Sequence, residues 1–148
     1  MNDIKELFET LNPAFNGALR LSDDGQSVYA PPESIPEVLA LLKDQHEYVM
    51  LADLSAVEYE DRFEVVYHVM KLTDAGVIRI KAALPRENPS LPSVTSVWKA
   101  ADVQEREAFD LMGINFRGHP DLRRILCPDG FTGHPLRKSF SIKPVNRF

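Results

Sequence analysis

The sequence predicts an α+β domain that ends in an extended, irregular arm. Three observations predict it. Residues 62–72 and 77–84 read as a pair of β-strands, several stretches carry apolar residues at helical spacing, and from Arg117 onward proline and glycine break every period. The chain has 148 residues, with 44% hydrophobic and 26% charged, which suits one globular domain. We divide it into an α+β body, 1–116, and an arm of the same domain, 117–148.

The elements follow in order. Ile4, Leu7, Phe8 and Leu11 fall on one face of a short helix over 2–11, which Pro13 ends. Two short strands, 17–21 and 26–30, flank Asp23-Asp24-Gly25 as a hairpin. Ser34 or Pro31-Pro32 opens a second helix, with Ile35, Val38, Leu39, Leu41 and Leu42 as its apolar face. The run Tyr48–Leu54 begins a strand within 48–59. Residues 62–72 are rich in β-branched and aromatic types. In 77–84, Ile78, Ile80, Ala82 and Leu84 alternate with Arg79 and Lys81, so this strand is half-buried and pairs antiparallel with 62–72. Pro85, Pro89 and Pro92 bar regular structure after it. Ser93 is expected to cap a helical stretch with Val94, Val97, Trp98 and Ala101, continuing to Met112, where Gly113 stops it.

The net charge of −5 is unevenly placed. Residues 1–116 hold 10 Lys/Arg and 20 Asp/Glu, whereas 117–148 hold 7 Lys/Arg and 2 acids. An acidic body with a basic tail points to an acidic surface for the tail to meet. With Phe116 just before it, the tail carries Leu122, Ile125, Leu126, Phe131, Leu136, Phe140, Ile142 and Phe148. Such residues gain order by burial, and a partner subunit is the better fit for an irregular strip of them.

The tail repeats itself. Gly118-His119-Pro120-Asp121-Leu122-Arg123-Arg124 recurs as Gly133-His134-Pro135-Leu136-Arg137-Lys138, one residue shorter. Each copy offers a flexible glycine, an imidazole, a proline that drives the histidine out of the helical region, an apolar anchor and a cationic pair. Arginine forks suit carboxylates. The two clusters read as anchoring points along one surface.

Other chemistries fit the residues less well. His119, Cys127 and His134 could ligate zinc, but no tight spacing holds an ion locally. Cys127 with His134 could form a nucleophilic pair, although Leu126-Cys127-Pro128 reads equally as a loop. A single cysteine excludes an internal disulfide. Seven basic tail residues could neutralise phosphates, but the acidic body opposes nucleic acid and no groove-reading helix is present. In Glu105-Arg106-Glu107-Ala108-Phe109-Asp110, Arg106 and Asp110 can pair at i,i+4, while Glu107 and Asp110 call for a shared cation. No apolar run reaches the ~20 residues of a membrane span, and the N-terminus lacks a signal-peptide pattern, so a reducing cytoplasmic compartment is expected.

The blocks Glu105–Ile114, Gly118–Leu126 and Gly133–Lys138 together resemble the signature of the 30 kDa subunit family of proton-pumping NADH-quinone oxidoreductase, respiratory complex I. Phe63–His68 and Pro92–Trp98 resemble the family's strand and helix start. The resemblance implies a two-layer α+β domain, with an antiparallel or mixed sheet backed by helices and an extended C-terminal arm. It implies a non-catalytic subunit of the hydrophilic arm, beside the large quinone-site subunit and near the terminal iron–sulfur subunit. The complex as a whole uses NADH, FMN, iron–sulfur clusters and quinone, and no cofactor is expected on this chain, whose one cysteine cannot supply a cluster's four thiolates. The expected location is the cytoplasmic side of the bacterial inner membrane, with membrane contact only through the complex. The interface residues expected are Glu105, Arg106, Glu107, Asp110, His119, Pro120, Asp121, Arg123, Arg124, His134, Pro135, Arg137 and Lys138. The same subunit type occurs in membrane-bound energy-converting hydrogenases and formate hydrogenlyases, which stand as the alternative setting. A stand-alone Cys/His enzyme and a nucleic-acid module are remoter ones.

Overall fold

Strand β4 (Phe63–Met70) runs through the interior of a five-stranded sheet, flanked by β3 (Met50–Glu58) and β5 (Val77–Leu84), both antiparallel to it. The computed structural model describes residues 3–74, 76–124, 126 and 133–137. Beyond β5 lies β2 (Ser27–Tyr29), parallel to β5, and then β1 (Arg20–Leu21), antiparallel to β2. The order β1-β2-β5-β4-β3 therefore makes a mixed sheet. The β4–β5 turn is closed by Lys71 N–H donating to the Gly76 carbonyl, and Asp74 Oδ1 accepts from Gly76 N–H.

Helices α1 (Asp3–Leu11) and α2 (Ile35–His46) contribute apolar faces to one core. In α2, Ile35, Val38, Leu39 and Leu42 are all fully buried, in one cluster with Val28, Tyr67 and Ile80. Each such burial contributes about 1.5–3 kcal/mol, which fixes the strand face that meets the helices. A third helix, α3 (Ala101–Met112), packs along β3, and Gln104 Oε1 accepts from Leu54 N–H at 2.6 Å. That bond covers part of an otherwise open strand edge.

The opposite face of the sheet carries a different set. Ladder register aligns Arg20, Tyr29, Lys81, Val66 and Ser55 in one row. Ser27, Arg79, His68 and Asp53 form the next, and Val77, Met70 and Met50 a third. Val66 is buried yet stands outside the main core cluster. Glu64 is fully buried on this face, its Oε2 accepting from Tyr29 Oη and Arg62 Nε, both at 2.8 Å.

Three expectations change. Residues 93–100 are turns, not the start of a helix, and α3 begins at Ala101. Ser93 Oγ and Val94 N–H are turned inward to Glu105, and Trp98 Nε1 donates to the Val49 carbonyl, so the segment's polar groups follow tertiary partners rather than a helical ladder. The proline-flanked stretch also holds a strand: β6 (Ser90–Pro92) pairs in parallel with β7 (Asn115–Arg117), bringing Leu91 opposite Phe116. Proline is tolerated at the end of so short an edge. Third, the described arm packs on its own body. Cys127, Lys138 and the apolar residues Ile125, Phe131, Phe140, Ile142 and Phe148 lie outside the described residues.

Candidate functional site

Helix α3 ends without a basic residue in its last turn. Its final carbonyls therefore need donors from elsewhere. Gly113 stops the helix in the left-handed region, at φ 78°, with its N–H returning to the Phe109 carbonyl. The remaining donors come from the arm. Arg124 Nη1 and His134 Nδ1 lie 3.1 and 2.9 Å from the Asp110 carbonyl. Leu136 N–H donates to the Leu111 carbonyl and Arg137 Nε to that of Met112, at 2.9 and 2.7 Å. Three cationic or polar side chains thus complement the negative end of the helix dipole.

The side chains of α3 complete the strap. Asp110 is fully buried, its Oδ1 accepting from Arg124 Nη1 and its Oδ2 from Leu126 N–H, both at 2.6 Å. Arg124 Nη2 donates onward to the Gly133 carbonyl, joining the two Gly-His-Pro clusters. Arg106 is not paired with Asp110 at i,i+4: its guanidinium reaches the carbonyls of Arg123 and Arg124 at 3.3 and 3.5 Å. Asp110 faces the arm, which supplies a closer cation. Glu107 is exposed, at the rim of a cleft of about 210 Å³ between β3 and α3 that Leu136 also lines.

The other end of α3 is held by the first imidazole. His119 Nδ1 accepts from Asp121 N–H at 2.9 Å, so its proton sits on Nε2, 3.1 Å from the Asp102 carbonyl and 3.0 Å from its Oδ1. His134 has the opposite tautomer, because a carbonyl faces its Nδ1. The first cluster spans α3, with His119 at its N-terminal end and Arg124 at its C-terminal end, and the second meets the C-terminal end, so the surface they hold is the chain's own. Asp121 Oδ2 takes Arg123 Nε at 3.0 Å, with both side chains largely exposed. Pro120 is exposed and Pro135 half-buried.

Within the body, Glu105 is fully buried, its Oε1 accepting from Ser93 Oγ at 2.6 Å and its Oε2 from Val94 N–H at 2.7 Å. Burial holds its carboxyl above the ordinary range, outweighing those two donors. Tyr67, fully buried, is pushed well above the usual phenol value by burial and by the Glu105 charge. Among the described residues no group of three or more His, Cys, Asp and Glu could hold a metal ion. No described helix is long and apolar enough to cross a membrane. Asp102 and Gln104 are parts of this arrangement that motif reading leaves unassigned, and Ser93, expected as a helix cap, instead donates to Glu105. The one available signal is a helix whose last turn lacks a cation.

A model of the respiratory-chain NADH dehydrogenase 30 Kd subunit matches residues 28–146. The chain belongs to that family. It is 43% identical to a NADH-quinone oxidoreductase subunit of Moorella thermoacetica, over 97% of this chain and 94% of the relative. With the subunit of the same name in Citrifermentans bemidjiense it shares 44% identity, over 82% and 77%. Among solved structures, the trypsin-resistant fragment of Nqo5 superposes with a TM-score of 0.65 at 32% identity, covering 78% of this chain and 98% of that one. A chain of the archaeal membrane-bound sulfane sulfur reductase has the same fold, with a TM-score of 0.66 at 20% identity, covering 78% of this chain and 71% of that one. The 30 Kd family match spans both α3 and the Gly-His-Pro clusters that strap it.

Proposed function

We propose that this chain is a non-catalytic assembly subunit of the hydrophilic arm of a proton-translocating NADH-quinone oxidoreductase. It supports electron transfer from NADH to quinone by docking on the quinone-site subunit, near the terminal iron–sulfur subunit. It holds no cofactor itself and reaches the cytoplasmic side of the membrane only through the complex. One observation carries this reading. The arm is strapped to α3 while Leu126 and Leu136 remain 61% exposed and the Arg123 side chain 69% exposed. Apolar anchors and a guanidinium held outward on a fixed frame suit a protein partner. The role of the arm thus shifts. Asp110, Arg124, His134 and Arg137 hold the frame, while Arg123, Leu126 and Leu136 face the partner.

His119, His134, Glu105 and Asp110 are each bound to structural partners, which fits a framework better than an acid–base centre. The test is to compare Arg123→Ala and Leu136→Ala with the parent in the assembled complex. Both should lower the amount of assembled complex while leaving turnover per assembled particle unchanged. Full assembly with lowered turnover would overturn the reading in favour of a direct role near the quinone site.

A further inference from the structure

The helices contribute to the core on one face of the sheet, and the other face is bordered by the β1–β2 turn at Ser22, Asp23 and Asp24, with Glu64, Ser27 and Val66 buried beneath its longer side chains. Its composition is unusual for a solvent face of this chain. Residues 1–116 carry twice as many acids as bases, yet four of their ten cations, Arg20, Arg62, Arg79 and Lys81, gather here. Glu64 offsets part of that charge from below. Its Oε2 is taken by Tyr29 and Arg62, and its Oε1 has no hydrogen bond and lies 3.9 Å from Lys81 Nζ. Arg20 lies over the Tyr29 ring at 4.3 Å and has no carboxylate partner among the described residues. Arg79 makes no hydrogen bond or ion pair among the described residues. Asp23 and Asp24 line a cleft with Arg20, Arg62 and Lys81, but Asp24 Oδ1 is taken by Ser22 Oγ and Gln26 N–H, and neither aspartate forms an ion pair with those cations among the described residues.

The same face is apolar at one end. Val77 is 51% exposed and Met50 38%, in register with Met70. Arg20 and Arg79 have no ion pair among the described residues, Lys81 has only the buried Glu64 at 3.9 Å, and Asp53 in the Arg79 row lies 3.8 Å from His68. Such under-compensated cations beside an exposed apolar row match a partner surface of complementary charge and shape. We propose that this helix-free face is a second docking surface, covered by a partner subunit that sets aspartate and glutamate side chains against Arg20, Arg79 and Lys81. The inference rests on the assembly reading above and adds a surface distinct from the arm.

The test uses the assembled complex. A carbodiimide joins an amine to a carboxylate only where they touch, so Lys81 should be recovered in an amide bond to an aspartate or glutamate of another subunit. Arg79→Glu should lower the fraction of complexes that contain this chain by roughly tenfold, because it sets like charges face to face. Products linking Lys81 only within this chain, or to a second copy of it, would overturn the proposal. So would an Arg79→Glu chain that enters the complex at the parent level. A chain that is absent from the complex altogether defeats the assembly reading, and this one with it. A chain that is present but unlinked defeats this one alone.

Discussion

Arg124 and Asp110 form a shielded ion pair across the boundary between arm and body. Their atoms Nη1 and Oδ1 are 2.6 Å apart, with side-chain exposures of 15% and 0%. Asp110 ends its helix facing inward, and Arg124 reaches it from fourteen residues further along the chain. The pair ties the helix that packs along the sheet edge to the arm that carries the outward anchors.

Arg124→Ala removes the cation and leaves Asp110 buried. Breaking one side of a buried pair costs about 3–5 kcal/mol, and the partial exposure of Arg124 places this case at the lower end, about 3 kcal/mol. The urea midpoint of the purified chain, followed by Trp98 fluorescence, checks it. A loss below about 1 kcal/mol would mean that the arm is held by other contacts.

Gly113→Ala tests the junction differently. The residue needs φ 78°, and a Cβ there would stand 2.6 Å from Arg137 Nη2 and 2.8 Å from His134 Cδ2. The left-handed conformation alone costs an L-residue about 1–2 kcal/mol. Moving the Arg137 head aside is easy for so flexible a side chain, but it sacrifices the bond to the Met112 carbonyl. Trypsin should therefore cut after Arg137 faster in the variant, with α3 itself intact by circular dichroism. Unchanged cleavage would show that the second cluster does not depend on this close fit.

Tyr67→Phe should be neutral or stabilising by up to about 1 kcal/mol. The Tyr67 hydroxyl is buried without a hydrogen-bond partner among the described residues. An unsatisfied buried hydroxyl opposes folding, so removing it while keeping the ring relieves that penalty. A destabilisation above 1 kcal/mol in thermal or urea unfolding would point to a bound water that the hydroxyl holds.

Much of the frame was legible from residue pattern alone. Helix α2 and strands β4 and β5 match their expected positions because each has a face that must be buried, and periodicity reports that need directly. Strands β6 and β7 were not legible. Each has three residues, and Leu91 meets Phe116 only through a parallel pairing of distant segments. The site divides in the same way. The doubled Gly-His-Pro cluster announces two anchors, but nothing in its spacing says which surface receives them. That answer lies in α3, whose last turn has no cation of its own and takes Arg124, His134 and Arg137. The segment after Ser93 misled because Val94, Trp98 and Ala101 keep helical spacing while being buried from consecutive turns.

Glu105 gives the chain a pH dependence of predictable sign. Its carboxyl titrates above the ordinary 4.5 in the folded chain, chiefly because burial disfavours the charged form. Between that ordinary value and the raised one, the folded chain holds a proton that the unfolded chain has released. Stability conferred by this group is thus complete below pH 4.5 and is lost as pH rises through the folded value. Glu105→Gln removes the titration while keeping an oxygen that can accept from either Ser93 Oγ or Val94 N–H. Unfolding free energies measured from pH 4 upward should therefore fall less steeply in the variant than in the parent over the window just above 4.5. With the amide oxygen on Val94 N–H, its NH2 faces Ser93 Oγ, whose hydroxyl must turn to accept, so the variant should be less stable than the parent by about 0.5–1.5 kcal/mol. A steeper slope in the variant would mean that the two hydrogen-bond donors outweigh burial and hold the carboxyl below its ordinary range.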